Sequence, residues 1–384
     1  MAIPLSVVLL YLAFELGVGL KGSKNRPFSA ASDWTGAVLV PAHNEALGIE
    51  NTVRALRKAA PRCRILVVAD NCSDETASLA RAAGAETISR VDNDNRGKGF
   101  ALAFGRDHLA LNPPDVVIVV DADCELSAGS ADRLIATAVI SGAPVQSRNL
   151  LVGNAGDSPL VSISNFAMLI KNLVRARGLY RIGGGALLFG TGMAFPWKLF
   201  AGLELGTSHA VEDIQLGLSL ARKGVRVVFE DSALVTSAAA SVDVSKGQRS
   251  RWEHGFLKAA LDHGIPMLSS GLRHRSRHLF AIGAHMMVPP LALLIALSVL
   301  ALCGLMLLSN FFENAAALLV LFTSLVIATL ALLAAWWCEG RTVLQFKTLL
   351  MIPFYVIWKI PIYVGYFISR QTDWNRTQRE GERP

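Results

Sequence analysis

The chain is short of charge, of paired cysteines and of the glycine-rich motifs that mark nucleotide hydrolysis. Only 17% of its 384 residues are Asp, Glu, Lys or Arg, against roughly 25% in ordinary soluble domains. The five cysteines, Cys63, Cys72, Cys124, Cys303 and Cys338, form no Cys-x-x-Cys pair and no Cys/His cluster with zinc spacing. Buried or incidental thiols in a reducing compartment are therefore expected, rather than disulfides or a zinc cage. No Gly-Lys-Ser/Thr sequence occurs, which argues against ATP hydrolysis. Arg96-Gly97-Lys98-Gly99 is not a dinucleotide fingerprint either, because Leu102 stands where the third glycine belongs and Asp92-Asn93-Asp94-Asn95 before it is no buried strand. There is no internal repeat and no low-complexity tract.

What the chain has in surplus is apolar residues, 52% of the total, most of them after Ala281. The net charge of +7 is not gathered into a basic stripe with interleaved aromatics, so no nucleic-acid partner is expected. Instead the basic residues flank apolar runs: Lys21, Lys24 and Arg26 after the first, Arg273, Arg275 and Arg277 before the second, Arg341 and Lys347 after the third. That is the footprint of cytoplasmic flanks attracted to anionic lipid.

Ile3 to Leu20 barely reaches the ~20 residues that a bilayer needs. A cleaved signal peptide is the competing reading, but a basic start and a small-x-small cleavage site are missing. An anchor helix with its C-terminal end in the cytoplasm is expected, with Glu15 as its one discordant residue. Ala281–Leu308 and Ala315–Trp337 form an expected transmembrane hairpin. Its connection, Ser309 to Asn314, carries no Lys or Arg and so faces away from the cytoplasm.

Leu349–Ile368 is apolar but holds Lys359, Pro353 and Pro361 and is followed by Arg370, Arg376 and Arg379. A central Lys costs about 2.5–3.5 kcal/mol on insertion scales. A kinked interfacial or re-entrant segment is expected there, with a fourth span as the alternative.

Between the membrane signals, β-rich runs alternate with amphipathic stretches: strands at Ala37–Val40, Arg64–Ala69, Thr87–Arg90 and Val116–Val120, and helices at Leu47–Ala59, Glu75–Ala83 and Lys98–Leu109. Further on come a helix from Asp213 to about Lys223, a strand at Val225–Phe229, and a polar stretch leading to Gln248. The alternation predicts βαβ units and a mostly parallel sheet. Ligands bind at the carboxyl ends of such strands, and three polar clusters fall there: His43-Asn44-Glu45, Asp70-Asn71 and Asp121-Ala122-Asp123.

Each cluster has an ordinary reading beside the functional one. Asp121 and Asp123 follow a buried strand and can share one hard cation, Mg²⁺ or Mn²⁺, with a substrate diphosphate; alone they would also fit an acidic turn. Ser73 or Asp74 suits a helix N-cap, whereas Asp70 precedes the cap and suits a base or ribose hydrogen bond. Lys98 at a helix start can meet a phosphate. Glu212-Asp213 opens a helix, where acids are favoured electrostatically in any case. Gln248, Arg251 and Trp252 share one helical face, which suits a guanidinium forking onto phosphate beside a flat aromatic, or an ordinary membrane-interface Trp/Arg pair.

In order along the chain, Val40-Pro41-Ala42-His43-Asn44-Glu45, Asp70, Lys98-Gly99, Asp121-Ala122-Asp123, Gly190-Thr191-Gly192, Glu212-Asp213 and Gln248-Arg249-Ser250-Arg251-Trp252 resemble the membrane-integrated branch of glycosyltransferase family 2. The likeness covers about Val38 to Gly255; the hairpin and Trp374-Asn375-Arg376-Thr377 agree with it less specifically.

The resemblance implies a GT-A α/β fold over residues 33–275, a Rossmann-like, mostly parallel sheet. An anchor helix over 1–22, a helical hairpin over 278–340 and an interfacial segment with cytoplasmic tail over 341–384 complete the expected organisation. It also implies inverting transfer from a nucleotide-diphosphate sugar, with uridine the expected nucleoside, assisted by Mg²⁺ or Mn²⁺. Carried over by position, Pro41, Asn44, Glu45, Asp70, Lys98 and Asp121 would serve the nucleotide, Asp121 and Asp123 the metal, and Asp213 would be the general base. Gly192, Glu212, Gln248, Arg251 and Trp252 would line the diphosphate and acceptor side. Val211 departs from the Thr that many relatives carry before the Glu-Asp pair. The expected acceptor is a lipid or lipid-linked saccharide at the cytoplasmic face of the inner (plasma) membrane, as in exopolysaccharide or glycolipid synthesis. A processive polysaccharide synthase and a non-catalytic nucleotide-sugar-binding scaffold are the alternatives.

Overall fold

The computed structural model describes residues 2–22, 33–153, 158–206, 211–238, 242–308 and 315–368, with the backbone alone at 242–249 and 367. The first half is built as the alternation predicts. Strand β1 (Gly36–Ala42) leads to helix α2 (Ile49–Ala59), β2 (Cys63–Asp70) to α3 (Thr76–Ala82), and β3 (Glu86–Arg90) to α4 (Lys98–Leu109), all after the N-terminal helix α1 (Ala2–Gly19). Then follow β4 (Val116–Val119), β5 (Cys124–Leu126), α5 (Ser130–Ser141), β6 (Val145–Val152), α6 (Pro159–Leu169), a π-helical turn (Ile170–Arg175) and α7 (Ala176–Arg181). Strand β7 (Met193–Pro196), the short α8 (Trp197–Phe200), α9 (Glu212–Arg222), β8 (Val228–Ala238) and the long α10 (Val242–Arg273) close the α/β region.

All eight strands form one sheet, in the order β3-β2-β1-β4-β7-β6-β8-β5. Strands β3, β2, β1 and β4 are parallel, whereas β7 runs antiparallel to both β4 and β6. The sheet is thus mixed rather than uniformly parallel. The β1, β2 and β4 ends that carry the polar clusters still lie side by side.

Side-chain alternation splits the core in two. Val38, Val40, Val67, Ile118 and Val120 pack under α2 and α5. Leu39, Leu66, Val68, Val117 and Val119 face the other way, into a core that continues through Leu9, Leu12 and Leu16 of α1 and on to the C-terminal helices.

The strand expected at Val225–Phe229 begins instead at Val228 and runs to Ala238, through part of the stretch taken as polar linker. Gly224, at φ 78°, ends the preceding helix, and Val225 to Val227 form the turn that returns the chain to the sheet. The pairing with β6 then jumps from Ser147↔Glu230 to Arg148↔Leu234. Asp231 and Ser232, with Ala233, sit in that bulge just after the paired Glu230, so the polar residues that hide the strand in the sequence mark an interruption of its ladder.

The C-terminal part holds α11 (Arg277–Met286), α12 (Leu291–Leu308), α13 (Ala315–Ala335) with a π-turn at Trp336–Gly340, α14 (Phe346–Leu349) and α15 (Ile352–Ile368). Among the described residues, three helices are long and apolar enough to cross a membrane: α1, α12, and α13 with its π-turn. The run Ala281–Leu308 is not one helix, however. It breaks over Met287–Pro290, where Pro289 and Pro290 lack the N–H that a continuous helix requires. Ala281, Ile282 and Met286 of α11 pack with Leu179, Ile214 and Phe256, so α11 belongs to the packing around α9 and α10.

Two discordant charges are both matched. Glu15 is buried and accepts from Arg175 Nε at 2.6 Å, and its other oxygen lies 2.5 Å from His285 Nδ1. This joins α1 to the π-turn and to α11, and removes most of the objection to a carboxylate in an apolar helix. Lys359 in α15 is buried and paired with Glu253 of α10, and His254 Nε2 lies 2.8 Å from the Ile362 carbonyl oxygen.

Candidate active site

At the carboxyl ends of β1 and β2 two loops are stitched together. Asn44, at φ 52°, takes a left-handed conformation that Asn tolerates better than most residues. Its Oδ1 accepts from the Ser73 amide at 2.7 Å. The Glu45 amide donates to Thr76 Oγ1 at 2.7 Å, and Asp74 Oδ1 accepts from the Thr76 amide at 3.0 Å; the N-cap position itself is Glu75, which makes no side-chain cap bond, rather than the expected Ser73 or Asp74. Asp70 is buried and occupied: its Oδ1 accepts from Arg90 Nη1 at 2.7 Å, while Arg90 Nη2 reaches Asp92 at 2.7 Å. No pattern in the sequence marks Arg90, 20 residues away, as the partner of Asp70.

The centre of the site is Lys98, the first residue of α4. Its ammonium pairs with Asp121 and donates to the Gly190 carbonyl at 2.8 Å. Antiparallel pairing of β7 with β4 brings Gly190-Thr191-Gly192 against Asp121, whose amide donates to Thr191 Oγ1 at 3.1 Å. Gly190, at φ 81°, is required by close approach as well as by backbone geometry. A Cβ there would stand 3.2 Å from Asp213 Oδ2 and 3.3 Å from Lys98 Nζ.

Beneath this loop lies Gln146, fully buried on β6. Its Nε2 donates to the Thr191 carbonyl at 2.9 Å and its Oε1 accepts from the Phe189 amide at 2.9 Å. No pattern in the sequence singled it out.

Glu212 and Asp213 occupy the first turn of α9, and Asp213 Oδ1 accepts from the Ile214 amide at 2.8 Å. Burial raises the pKa of Asp213 and Asp121 above the usual carboxylate range, with Lys98 acting the other way. Glu212 is pushed up to about 7, again chiefly by burial and against Lys98. Burial also works against the Lys98 ammonium, yet Asp121, Glu212 and Asp213 together hold its pKa above the normal lysine value. Arg251 on α10 is lowered by burial, with Glu212 opposing. Trp252, next along α10, lines an apolar cavity. Gln248 lies in the same helix, with its side chain outside the described residues.

The ligand atoms of Asp121, Asp123 and Cys124 lie within 4.8 Å of one another. The carboxylate pair suits a hard divalent ion, whereas the Cys124 thiol is buried, has a raised pKa from that burial, and donates weakly to Asp123 Oδ1 at 3.5 Å. Asp121, Asp123, Glu212 and Asp213 are answered here by Lys98 and Arg251, and a doubly charged cation fits that imbalance. The structure therefore brings Lys98, Asp121, Asp123, Gly190, Glu212 and Asp213 together, with Arg251 beside Glu212. Asn44, Glu45 and Asp70 form a neighbouring group at the β1–β2 edge, and Pro41 lies within β1.

A sequence model of the family described as glycosyltransferase-like family 2 matches residues 36–255, the stretch that contains every one of these residues. The chain belongs to that family. Among curated members, a 4,4'-diaponeurosporenoate glycosyltransferase of Staphylococcus haemolyticus is 31% identical over 96 residues, 24% of this chain and 24% of its own length. The probable glycosyltransferase YdaM of Bacillus subtilis is 25% identical over 236 residues, 57% of this chain and 54% of its own. The chain thus spans about half, or less, of the curated relatives it matches. Among solved structures, the mannosyltransferase PcManGT from Pyrobaculum calidifontis, in complex with GDP-Man and Mn²⁺, overlays with a TM-score of 0.57 at 15% identity. That match covers 96% of this chain and 99% of the other, a likeness of fold that includes the membrane-type helices.

Proposed function

We propose that this family 2 protein is an inverting transferase. It moves a sugar from a nucleoside-diphosphate sugar, with uridine the expected nucleoside, onto a hydroxyl of a lipid or lipid-linked saccharide at the cytoplasmic membrane face. The observation that carries this reading is the junction at Lys98, where the Asp121 carboxylate, the Gly190 carbonyl and the Glu212–Asp213 pair meet. Four separate sequence segments converge there on a site that is rich in carboxylate and short of cation. When bound, a divalent ion held by Asp121 and Asp123 would supply positive charge against a departing diphosphate.

The chain's own groups divide the remaining work. Asp213, at a helix N-terminus and with a raised pKa, takes the proton from the acceptor hydroxyl as that oxygen attacks the anomeric carbon. The bond from that carbon to the diphosphate breaks, and the nucleoside diphosphate leaves with the electron pair. Arg251, partly desolvated beside Glu212, offers a fork for phosphate oxygens. Glu45 and Asp70 stand at the strand edge where a nucleoside would lie, and Arg90 holds Asp70 in place.

The cytoplasmic orientation rests on the basic flanks of the apolar helices. An apolar cavity next to Trp252 favours a lipid acceptor over a channel for a hydrophilic polymer. The test is release of nucleoside diphosphate by the purified protein from a panel of nucleotide sugars, with Mn²⁺ and a membrane-lipid extract. Release that needs both the lipid and the cation is expected. Donor binding without turnover under every condition would leave a non-catalytic scaffold.

A further inference from the structure

Between the α/β region and the apolar helices lies a cavity of about 410 Å³. A cavity of ~150 Å³ is enough to hold benzene, so this one has room for a branched hydrocarbon segment. Its walls come from α1, α6, α12, α13 and α15, for example Leu12, Phe166, Leu294 and Ala328. Three of those helices, α1, α12 and α13, are long and apolar enough to lie in the bilayer, so the solvent most readily admitted is hydrocarbon.

The cavity wall also carries charge, and the charges do not cancel. Three cations line it: Lys171, Arg175 and Lys359. Arg175 is matched by Glu15, and Lys359 by Glu253. Lys171, on the π-turn, has its Nζ 5.9 Å from the centre of the Phe256 ring and forms no ion pair among the described residues. Of the carboxylates around it, Asp213 acts on it most strongly. Trp252 also lines the cavity, one residue beyond the arginine that faces Glu212. An unmatched ammonium on the wall of an apolar chamber is therefore also within electrostatic reach of Asp213.

We infer that the acceptor is an anionic lipid whose hydrocarbon chain fills this cavity, whose phosphate or carboxylate pairs with Lys171, and whose reacting hydroxyl lies beyond that group, toward Asp213. The inference rests on the transferase reading and adds the acceptor's class to it. A desolvated ammonium without a partner is unfavourable, and a lipid acid supplies the missing partner. In the transfer the acceptor hydroxyl gives its proton to Asp213 and its oxygen bonds to the anomeric carbon, while the lipid's acidic group stays intact on Lys171.

The test is photolabelling of the full chain in lipid nanodiscs with three probes that share one long chain bearing a mid-chain diazirine: a carboxylic acid, a phosphate monoester and a primary alcohol. Mass-spectrometric mapping should place the label on Ala292, Ile295, Ala328 and Thr329, which face the cavity, in preference to the exposed Leu300, Leu319 and Leu330. At least one acidic probe should exceed the alcohol by roughly tenfold, as a charge-assisted hydrogen bond allows. The stronger of the two identifies the acidic group. Lys171→Met should level acid and alcohol, and Lys171→Arg should keep the preference.

Label spread evenly over inward and outward faces of the wild-type protein would overturn the inference. So would equal labelling by acid and alcohol, which would make Asp213 the true partner of Lys171 and the acceptor neutral. Calorimetric binding of nucleoside diphosphate with Mn²⁺, measured on the same samples, separates the two levels. Donor binding without selective lipid entry sinks this inference alone, and lipid entry without donor binding sinks the transferase reading.

Discussion

Replacing Lys98 by Met keeps a stem of similar length and removes one positive charge from among Asp121, Glu212 and Asp213. Removing one member of a buried ion pair costs about 3–5 kcal/mol when the other is left charged. The lower figure applies here, because the Asp121 side chain retains 33% of its exposure. The loss must depend on pH. Glu212 has a folded pKa of about 7 against an ordinary glutamate value of 4.5, so the folded state holds more protons than the unfolded one between those values, and stability falls as pH rises through that window. Without Lys98 the carboxylate pKa values rise further and the decline extends to higher pH.

At pH 5 Glu212, with its pKa of about 7, is protonated, and the loss shrinks toward that of the bond to Gly190 and some packing, about 1 kcal/mol. At pH 8 the full ~3 kcal/mol should appear. At ~2–4 °C per kcal/mol for a domain of this size, melting in detergent with chelator present should drop by roughly 6–12 °C at pH 8 and by ~2–4 °C at pH 5. Mn²⁺ at a hundred times its Kd should return up to ~2.7 kcal/mol. An equal drop at both pH values would mean that Lys98 acts through its hydrocarbon stem and would refute the electrostatic account of the site.

Three further outcomes follow from the same structure. Asp123→Ala should weaken Mn²⁺-dependent nucleotide binding and reduce donor turnover by about 10²–10³-fold; full wild-type activity in excess chelator would remove the basis for that expectation. Asp213→Asn should leave nucleotide affinity nearly unchanged while transfer falls by roughly 10²–10⁴-fold, and parallel losses of binding and rate would move Asp213 from base to structural residue. For topology, single cysteines in a thiol-free background should divide by side. Gln378→Cys and Ser89→Cys should resist a membrane-impermeant reagent in intact cells and Asn310→Cys should react; rapid labelling at 378 would establish a fourth span. Gln378, Asn310, Trp374 and Arg376 lie outside the described residues.

What the sequence disclosed follows from period and position. Lys98–Leu109 is a helix with the expected ends, and β1, β2 and β4 lie within two residues of their expected limits, because buried parallel strands read as uninterrupted apolar runs. The carboxylates at their ends were legible for the same reason. Strand β8 was largely missed, since its bulge places Glu230-Asp231-Ser232 inside it and no simple alternation survives. The break at Met287–Pro290 was hidden in the opposite way, by an apolar run whose two prolines were outweighed by hydropathy. Gln146, Arg90 and Lys171 could not have been chosen from their neighbours in sequence. Each acts through a partner that only the fold supplies: the Thr191 carbonyl, Asp70, and the cavity beside Phe256.

Those long-range partners also tie the apolar helices directly to the candidate site. Arg177, on α7, donates to Glu339 at 2.6 Å and to Asp231 at 3.0 Å, linking the π-turn after α13 to the bulge of β8. Glu253 and His254 tie α10 to α15 immediately after Trp252. Arg175 and Glu15 fix the π-turn that carries Lys171 against α1. The sheet face of Leu39 and Val117 shares one continuous core with Leu9, Leu294 and Ala328. A shift of α1 or α15 would therefore move Lys171 or Trp252 relative to Asp213. For the proposed acidic lipid, the spacing between its acidic group and its reacting hydroxyl would thus be set by the same contacts that hold the helices to the sheet.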